Sequence, residues 1–313
     1  MEAVKLIPAC KSYLWGGTRL KEDYRKQSDE ATIAESWEVS VHRDGPSVIA
    51  NGEFAGRTLA DYFAACPQAL GRVEAFPVLV KLIDAADRLS VQVHPSDSYA
   101  RVHENDNGKT EMWYIVDAEP GSGIYCGLKK DSSAAEVRRL TEEKRIEEIL
   151  NFIPVKAGDC FLIEAGTLHA IGKGCLICEV QQSSNVTYRV YDYGRRGKDG
   201  RERELHLDRA LEVINYHAFE DKTCSGPLRC MPGGELRKLT SCEYFVCYEV
   251  QSQGELVLPA QASFLAVTAI LGEGSVNGLA CAKGDSFLIP AGTGLTACGR
   301  LKLLLSALPD IVL

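Results

Sequence analysis

A ten-residue segment that occurs twice is the feature that most restricts how this chain can fold. Residues 158–167, GDCFLIEAGT, recur as residues 284–293, GDSFLIPAGT, with eight of ten positions identical at an offset of 126. Repetition over so long an interval is typical of a duplicated supersecondary unit. Just beyond the segment the first copy has His169, and the second copy has Leu295 at the same place. The sequence therefore predicts two related units, of which only the first keeps a metal-ligating side chain.

The first copy has the spacing Gly-Asp, six residues, Gly, two residues and His169. Gly-Asp and Ala-Gly-Thr are also ordinary turn sequences, but their recurrence as a set favours a shared fold. The spacing resembles the second signature motif of cupins, small antiparallel β-barrels that hold a metal in their mouth. This resemblance implies a mainly β chain with two cupin-type, jelly-roll-like barrels. We expect a catalytic barrel over residues 1–220, with a small helical insertion at about 131–152, and a second, metal-free barrel over residues 221–313.

Composition restricts the class of protein. The net charge of −8 argues against a general nucleic-acid binder, and no apolar run reaches the length of about 18 residues that spans a membrane. The N-terminus lacks a basic region followed by a long apolar core, so no secretory signal is predicted and a cytoplasmic location is expected. Twelve cysteines in such a chain are expected to be reduced, structural thiols.

Two segments place polar side chains on one face of a predicted strand. In residues 88–95 the side chains alternate, and the polar face carries Ser90, Gln92 and His94. In the next predicted strand, Lys109 and Glu111 share a face. A solvent-facing polar row and a surface Lys–Glu pair are the alternative interpretations. In a small barrel, however, such a face lines a ligand cavity, where a buried carboxylate and ammonium need partners.

His94, Glu111 and His169 supply two imidazoles and a carboxylate, with Gln92 beside them on the inward face. This set suits a catalytic divalent metal that keeps an open position for water or substrate. The same set also describes a non-haem Fe(II) oxygenase. Gln92 as a fourth ligand and the inward-facing Lys109 count against that alternative.

Several motifs occur in a fixed order along the chain: Ser90-x-Gln92-x-His94-Pro95, Gly108-Lys109-Thr110-Glu111-x-Trp113-Tyr114, Gly166-Thr167-Leu168-His169-Ala170, Glu179-x-Gln181-Gln182-Ser183-Ser184 and Tyr188-Arg189-x-Tyr191-Asp192. Together they resemble a type I phosphomannose isomerase of the short bacterial form. Two N-terminal motifs extend the match: Trp15-Gly16-Gly17 and Glu35-x-Trp37-Glu38. The resemblance covers most of residues 1–220, and the C-terminal part is matched mainly by the repeated segment.

This resemblance implies an enzyme that interconverts mannose 6-phosphate and fructose 6-phosphate through an enediol, with one Zn²⁺ per chain. It implies four zinc ligands, Gln92, His94, Glu111 and His169. It implies three catalytic residues, Arg189, Lys109 and Glu179. Contacts to the phosphorylated hexose are expected from Ser90, Lys109 and Arg189, and the chain is expected to be a monomer or a homodimer.

The group that takes the proton stays open among Lys109, Glu179 and a zinc-bound water. A third interpretation is a sugar-phosphate sensor that binds without turnover, and such a binder would not need Lys109 and Glu179. The charged, Gly-rich loop over residues 194–203 is expected to be mostly solvated, with one or two basic groups at the rim of a phosphate site.

Overall fold

The computed structural model describes residues 1–197, 200–223 and 225–313. Strands hold 41% of the residues and helices 13%, so the prediction of a mainly β chain is confirmed. The strands of the described residues are β1 (Val4–Ile7), β2 (Ala9–Lys11), β3 (Glu35–Val39), β4 (Val48–Ile49), β5 (Val78–Asp84), β6 (Val91–Val93), β7 (Glu111–Ala118), β8 (Gly123–Leu128), β9 (Leu150–Pro154), β10 (Cys160–Ile163), β11 (His169–Ile171), β12 (Cys175–Gln182), β13 (Tyr188–Tyr191), β14 (Arg229–Met231), β15 (Gly234–Ser241), β16 (Val246–Leu258), β17 (Leu265–Val276), β18 (Leu279–Ala282), β19 (Ser286–Ile289) and β20 (Leu295–Ala307).

The helices of the same residues are short: α1 (Arg19–Glu22), α2 (Leu59–Ala65), α3 (Asp97–His103), α4 (Ala134–Glu142) and α5 (Leu207–Val213). Two 3-10 turns add Pro67–Ala69 and Ile146–Ile149. In the described part of the chain, none of these helices has the length and apolar character needed to cross a bilayer.

The strands pair into three antiparallel sheets, none of which closes on itself within the described residues. The nine-stranded sheet has the order β14-β15-β16-β20-β17-β19-β1-β4, with β18 paired to β17. The six-stranded sheet runs β10-β7-β12-β5-β3-β2, and the five-stranded sheet runs β13-β6-β11-β8-β9. Strand β1 pairs with β19, so the first and last parts of the chain share the largest sheet.

The six-stranded sheet is buried on both faces. Its strands β5 and β12 are buried at every position, which suits their mainly apolar sequences, VLVKLID and CLICEVQQ. Ile83 and Ile177 point to one side and pack with Ile171 of the five-stranded sheet. Leu82 and Cys178 point to the other side and join the core of the nine-stranded sheet. The six-stranded sheet is therefore the middle layer, and α4 and α5 cover the outer face of the five-stranded sheet.

The two copies of the repeated segment adopt the same turn. Gly158 and Gly284 have φ angles of 93° and 94°, a left-handed conformation that favours glycine. Asp159 and Asp285 each accept a hydrogen bond of 2.9 Å from the backbone N–H three residues earlier. Strands β10 and β19 follow these turns directly. The sequence repeat is thus a repeat of local structure.

The helix expected at about residues 131–152 is shorter than predicted. Helix α4 ends at Glu142, and Lys144 then takes a left-handed conformation with φ of 60°. The chain continues through the 3-10 turn Ile146–Ile149 into β9, which pairs with β8. Apolar residues of the 3-10 turn are buried in the same core as those of α4. The helix-like spacing of apolar side chains therefore extends beyond the end of the helix, which is why the predicted helix was too long.

A buried carboxylate links the middle layer to the nine-stranded sheet. The Tyr114 hydroxyl and the Arg237 guanidinium both donate to Glu249 Oε2 at 2.8 Å, and Gln251 donates to Oε1 at 2.6 Å. Burial by itself raises the pKa of Glu249, but the hydrogen bonds from Gln251 and Tyr114 and the charge of Arg237 hold it below its ordinary value. The carboxylate is therefore charged in the folded protein at neutral pH.

Removing one donor from this link should destabilise the fold in a pH-dependent way. A Tyr114→Phe variant should lose about 2 kcal/mol of unfolding free energy at pH 7, the typical size of a buried hydrogen bond to a charged group. Because the pKa of Glu249 is lower in the folded state than in the unfolded state, this contribution is present at neutral pH. It should disappear as the pH falls through the folded-state pKa. Urea unfolding between neutral and acid pH measures it.

The matched control is Tyr248→Phe, since the Tyr248 hydroxyl donates to the neutral carbonyl of Ile311 at 2.9 Å. Its loss of stability should not follow the titration of a carboxylate. An equal, pH-independent loss in both variants would contradict a charged Glu249 in the Tyr114 link.

Candidate metal and active site

Three neighbouring strands of the five-stranded sheet bring predicted site residues into one row. Arg189 of β13 and His169 of β11 are both register partners of Gln92, which lies on β6 between them. Directly paired residues of antiparallel strands project to the same face. Strand β6 is shorter than the predicted strand, so Ser90 and His94 lie just outside its two ends.

The middle sheet supplies the opposite wall. Glu111 is the first residue of β7, and Glu179 of β12 is the register partner of both Trp113 and Lys81. Lys109 precedes β7 instead of lying within it as predicted, yet its side chain still points into the site. The two sheets therefore face each other across a polar layer.

His94, Glu111 and His169 meet in this layer. One ligand atom from each lies within 4.8 Å of the others, and all three side chains are buried. His94 Nε2 and His169 Nε2 lie 3.4 Å from Glu111 Oε2 and Oε1, respectively. The two imidazole Nε2 atoms are 3.2 Å apart. Residues separated by up to 75 positions in the sequence thus form one cluster.

The hydrogen bonds of the two histidines fix their tautomers. His94 Nδ1 lies 2.8 Å from the carbonyl oxygen of Val186, and His169 Nδ1 lies 2.8 Å from that of Thr167. Since a carbonyl oxygen only accepts, each Nδ1 must donate a proton. Burial, followed by the charge of Lys109, lowers the pKa of His94 to about 3, and burial also lowers the pKa of His169. Both Nε2 atoms therefore carry lone pairs that face each other.

The carboxylate of Glu111 adds to the demand for a cation. Its Oε1 is buried and has no hydrogen-bond partner within residues 1–197, 200–223 and 225–313, and its Oε2 accepts from Lys109 Nζ at 2.5 Å. Lys109 Nζ is also 3.0 Å from His94 Nε2. Burial alone raises the pKa of Glu111, but Lys109 and the imidazoles lower it well below its ordinary value. Two neutral imidazoles and one carboxylate are a donor set that suits a divalent transition metal.

A cleft of about 280 Å³ opens beside this cluster. It brings together five residues that the sequence analysis named: Ser90, Gln92, Lys109, Glu179 and Arg189. It is also lined by side chains that the sequence analysis did not assign to the site: Tyr13, Trp15, Glu35, Lys81, Asn185, Thr187 and Arg203. For four of these a signal existed. Trp15 and Glu35 lie in motifs of the resemblance, Lys81 is a lone charge in an apolar strand, and Arg203 ends the charged loop over residues 194–203.

Charges inside the cleft are arranged in pairs. Lys81 Nζ lies 3.3 Å from Glu179 Oε1 and 3.6 Å from Glu35 Oε2, and Trp113 Nε1 donates to Glu179 Oε2 at 2.9 Å. Burial by itself lowers the pKa of Lys81. The carboxylates of Glu35 and Glu179 raise it by more, so the pKa lies above its ordinary value and the ammonium stays charged. Burial and the charge of Glu111 raise the pKa of Glu179.

Two guanidinium groups line the outer part of the cleft. Arg189 is half-buried; its Nη1 donates to the Glu204 carbonyl at 2.8 Å, and its Nε has no hydrogen-bond partner among the described residues. Arg203 donates to both carboxylate oxygens of Asp192, at 2.7 and 2.6 Å. Arg203 ends the charged loop predicted to be mostly solvated, in which residues 198 and 199 lie outside the described residues. At least one basic group of that loop therefore does reach the rim.

The second copy of the repeat has apolar residues where the first has residues of the buried cluster. Ile163 pairs with Glu111, and its counterpart Ile289 pairs with Leu265. His169 is replaced by Leu295. Leu265 and Leu295 are both fully buried in the core. The second copy therefore keeps the turn and the strand but has no equivalent ligand set.

Comparison with known proteins agrees with this geometry. The family described as "Phosphomannose isomerase type I, catalytic domain" matches residues 3–123. A mannose-6-phosphate isomerase of Streptococcus mutans is 38% identical over 283 residues, which cover 88% of this chain and 89% of that protein. The chain belongs to the type I phosphomannose isomerase family.

Further members of the family support this assignment. A mannose-6-phosphate isomerase of Bacillus subtilis is 37% identical over 294 residues, which cover 92% of both proteins. The crystal structure of a mannose 6-phosphate isomerase from Bacillus subtilis superposes with a TM-score of 0.93 at 33% identity, and it covers 98% of this chain and 100% of that one. The family resemblance thus extends to the C-terminal part, beyond the residues that suggested it.

The buried cluster should bind a dication, and this can be measured with Co²⁺, whose visible absorption reports its ligands. The unaltered chain should bind about one Co²⁺ tightly. A His169→Ala variant should bind it at least about 100-fold more weakly, since one of three convergent ligand atoms is gone. His217→Ala is the matched control because that imidazole is 81% exposed, faces Asp131 and is not part of the cluster. Equal affinities in all three proteins would show that the cluster is not the metal site.

Proposed function

We propose that the chain is a zinc-dependent isomerase that interconverts mannose 6-phosphate and fructose 6-phosphate. The observation that carries the proposal is the meeting of His94, Glu111 and His169 at one end of a cleft that also holds Lys109, Glu179 and Arg189. The relatives named above are mannose-6-phosphate isomerases, which favours isomerisation over oxygenase chemistry. From these relatives we infer that the substrate is a phosphorylated hexose.

The proposed ligands of one Zn²⁺ per chain are Gln92, His94, Glu111 and His169. The side-chain amide nitrogen of Gln92 lies 3.3 Å from His169 Nε2, so a flip of the amide would turn its oxygen toward the same place. Zinc accepts nitrogen and oxygen ligands of this kind. When bound, it supplies a Lewis acid that polarises a sugar oxygen and leaves the site more positive.

Isomerisation moves a proton between C1 and C2 of the sugar through an enediol. Lys109 Nζ and Glu179 Oε1, 3.8 Å apart, are the groups proposed to take that proton from one carbon and return it to the other. Trp113 orients Glu179 through its Nε1 hydrogen bond, and Lys81 balances the carboxylate charge. Both proton-transfer groups are buried, which keeps bulk water away from the enediol.

The phosphate and the developing oxyanion need cations. Arg189 is proposed for this role because its guanidinium lines the cleft and its buried Nε has no partner in the described part of the chain. Ser90, 4% exposed and in the same lining, is proposed to contact the sugar. Lys109, beside the metal cluster, would contact the substrate at its reacting end.

The repeated turn supports a division into two cupin-type units. In this proposal residues 1–220 form the catalytic barrel, with α4 as its helical insertion, and residues 221–313 form a second unit without metal. Strands β1 and β4 come from the first range and complete the sheet of the second. A monomer or homodimer in the cytoplasm remains part of the same proposal.

A coupled assay for fructose 6-phosphate formation from mannose 6-phosphate tests the reaction. The zinc-loaded chain should be active. An Arg189→Ala variant should keep its zinc but lose about 100- to 1,000-fold in kcat, the usual effect of removing one group that stabilises developing charge. Arg196→Ala is the control because that side chain is 68% exposed. An inactive zinc-loaded chain would reject the function, and loss of zinc in Arg189→Ala would reject the role of Arg189.

The pH dependence of kcat/KM tests the role of Glu179. A base must be deprotonated, so the rate should rise with pH through the pKa of Glu179, which burial and Glu111 place above the ordinary carboxyl value of 4.5. Glu179→Gln should lose this rising limb and slow the uptake of solvent deuterium into the sugar. If kcat/KM of Glu179→Gln still rises with pH in the same way, the titrating group is not Glu179. Entry of deuterium into the sugar with the unaltered chain would exclude a binder without turnover.

A further inference from the structure

Lys109 lies outside the regular hydrogen-bond ladder of its sheet. Strand β7 begins at Glu111, and residues 108–110 form the connection that leads into it. The connection keeps one backbone bond to β12, from the N–H of Gln182 to the carbonyl of Thr110 at 3.1 Å, but Lys109 itself has no register partner among the described strands. The proposed chemistry nevertheless needs its ammonium at a defined place among a carboxylate, an imidazole and the substrate.

Two side chains hold the backbone on either side of Lys109. The N–H of Gly108 donates to Asp97 Oδ1 at 2.8 Å, and the N–H of Thr110 donates to Gln182 Oε1 at 2.8 Å. The N–H of Lys109 itself donates to the backbone carbonyl of residue 95 at 3.0 Å. Three consecutive amides are thus all paired, two of them with side chains.

The two side chains are joined to each other. Gln182 Nε2 donates to Asp97 Oδ1 at 2.8 Å, so one carboxylate oxygen accepts both from this amide and from Gly108. The backbone approach is also close, because a β-carbon on Gly108 would lie 2.3 Å from the backbone nitrogen of Asp97. Gln182 is 4% exposed. We call Asp97 and Gln182, joined in this way, the amide clamp.

We infer that Asp97 and Gln182 are positioning residues for Lys109, acting through the backbone of residues 108 and 110. Neither residue lines the cleft or belongs to the metal cluster, so neither contacts the reacting atoms. The inference rests on the proposed function, in which Lys109 transfers a proton. It assigns a role to the second glutamine of the Glu-x-Gln-Gln motif, and to an aspartate that no motif of the sequence analysis included.

The clamp matters because Lys109 has little freedom to move. Its Nζ lies 2.5 Å from Glu111 Oε2, 3.0 Å from His94 Nε2 and 3.8 Å from Glu179 Oε1. A displacement of about 1 Å in a reacting group can lower a rate about 100-fold. Loss of the clamp would loosen the connection, which would keep the backbone bonds at Lys109 and Thr110, without removing any ligand or any cleft side chain. The chemical step should therefore suffer more than substrate binding.

The test compares steady-state kinetics, metal content and thermal stability of the zinc-loaded protein. Gln182→Met keeps the side-chain length but removes both of its hydrogen bonds, and kcat should fall about 10- to 100-fold. KM should change by less than about threefold, and the zinc content should stay near one per chain. Asp97→Ala should reproduce the fall in kcat. Asp97→Asn keeps an oxygen that can accept from both donors, so its kcat should stay close to that of the unaltered protein.

Two controls separate positioning from general loss of stability. Arg101→Gln removes only the exposed partner of Asp97 Oδ2 and should leave kcat unchanged. Asn151→Leu removes side-chain hydrogen bonds to the Leu128 and Cys126 carbonyls, so it should lower the melting temperature without lowering kcat.

The outcomes are distinct. If Gln182→Met and Asp97→Ala keep kcat within about twofold, or lose activity only through zinc content or KM, the inference is wrong while the isomerase function stands. If Gln182→Met does not fold, the difference between Asp97→Ala and Asp97→Asn decides, and equal kcat values in those two would overturn the inference. An inactive unaltered protein would reject the function, and the positioning role with it.

Discussion

The site depends on one electrostatic requirement, which is that two imidazole lone pairs and a buried carboxylate need a shared cation. Backbone carbonyls hold both Nδ1 atoms as donors, so the Nε2 atoms 3.2 Å apart cannot satisfy each other. Glu111 adds an oxygen that no described residue satisfies with a hydrogen bond. The ammonium of Lys109 meets part of this demand, and a dication would meet all of it. The same requirement explains why Lys109 must be well placed.

The middle sheet makes this arrangement possible. Because it is covered on both faces, its register is fixed by packing on each side, and a slip of one residue would exchange the two faces. Glu111, Trp113 and Glu179 are therefore held toward the five-stranded sheet, while Tyr114 reaches Glu249 of the nine-stranded sheet. The C-terminal sheet thus contributes to the site by supporting its wall, although its own copy of the repeat has leucines at the ligand positions.

Sequence reasoning succeeded where the signal was local and less well where it was not. The repeated turn, the alternation around Gln92 and the motif spacing named the members of the cluster. The predicted helix at residues 131–152 was too long because the spacing of apolar side chains continued past Glu142, where the chain leaves the helix. Lys81 was not recognised as a site residue because its role depends on its partner Glu179, which lies on another strand far along the chain. Asp97 was missed because its partner Gln182 lies 85 residues away.

By itself, the sequence determined the mainly β character, the duplicated turn and the identity of the three residues that form the buried cluster, because turns and strand alternation are set by neighbours along the chain. Only the tertiary structure decided that two histidines and a glutamate from different sheets share one space, and that charged side chains pair across a cleft. It also decided how the backbone around Lys109 is held. These features depend on distances between segments far apart in sequence, and such distances are fixed by the packing of one layer on another.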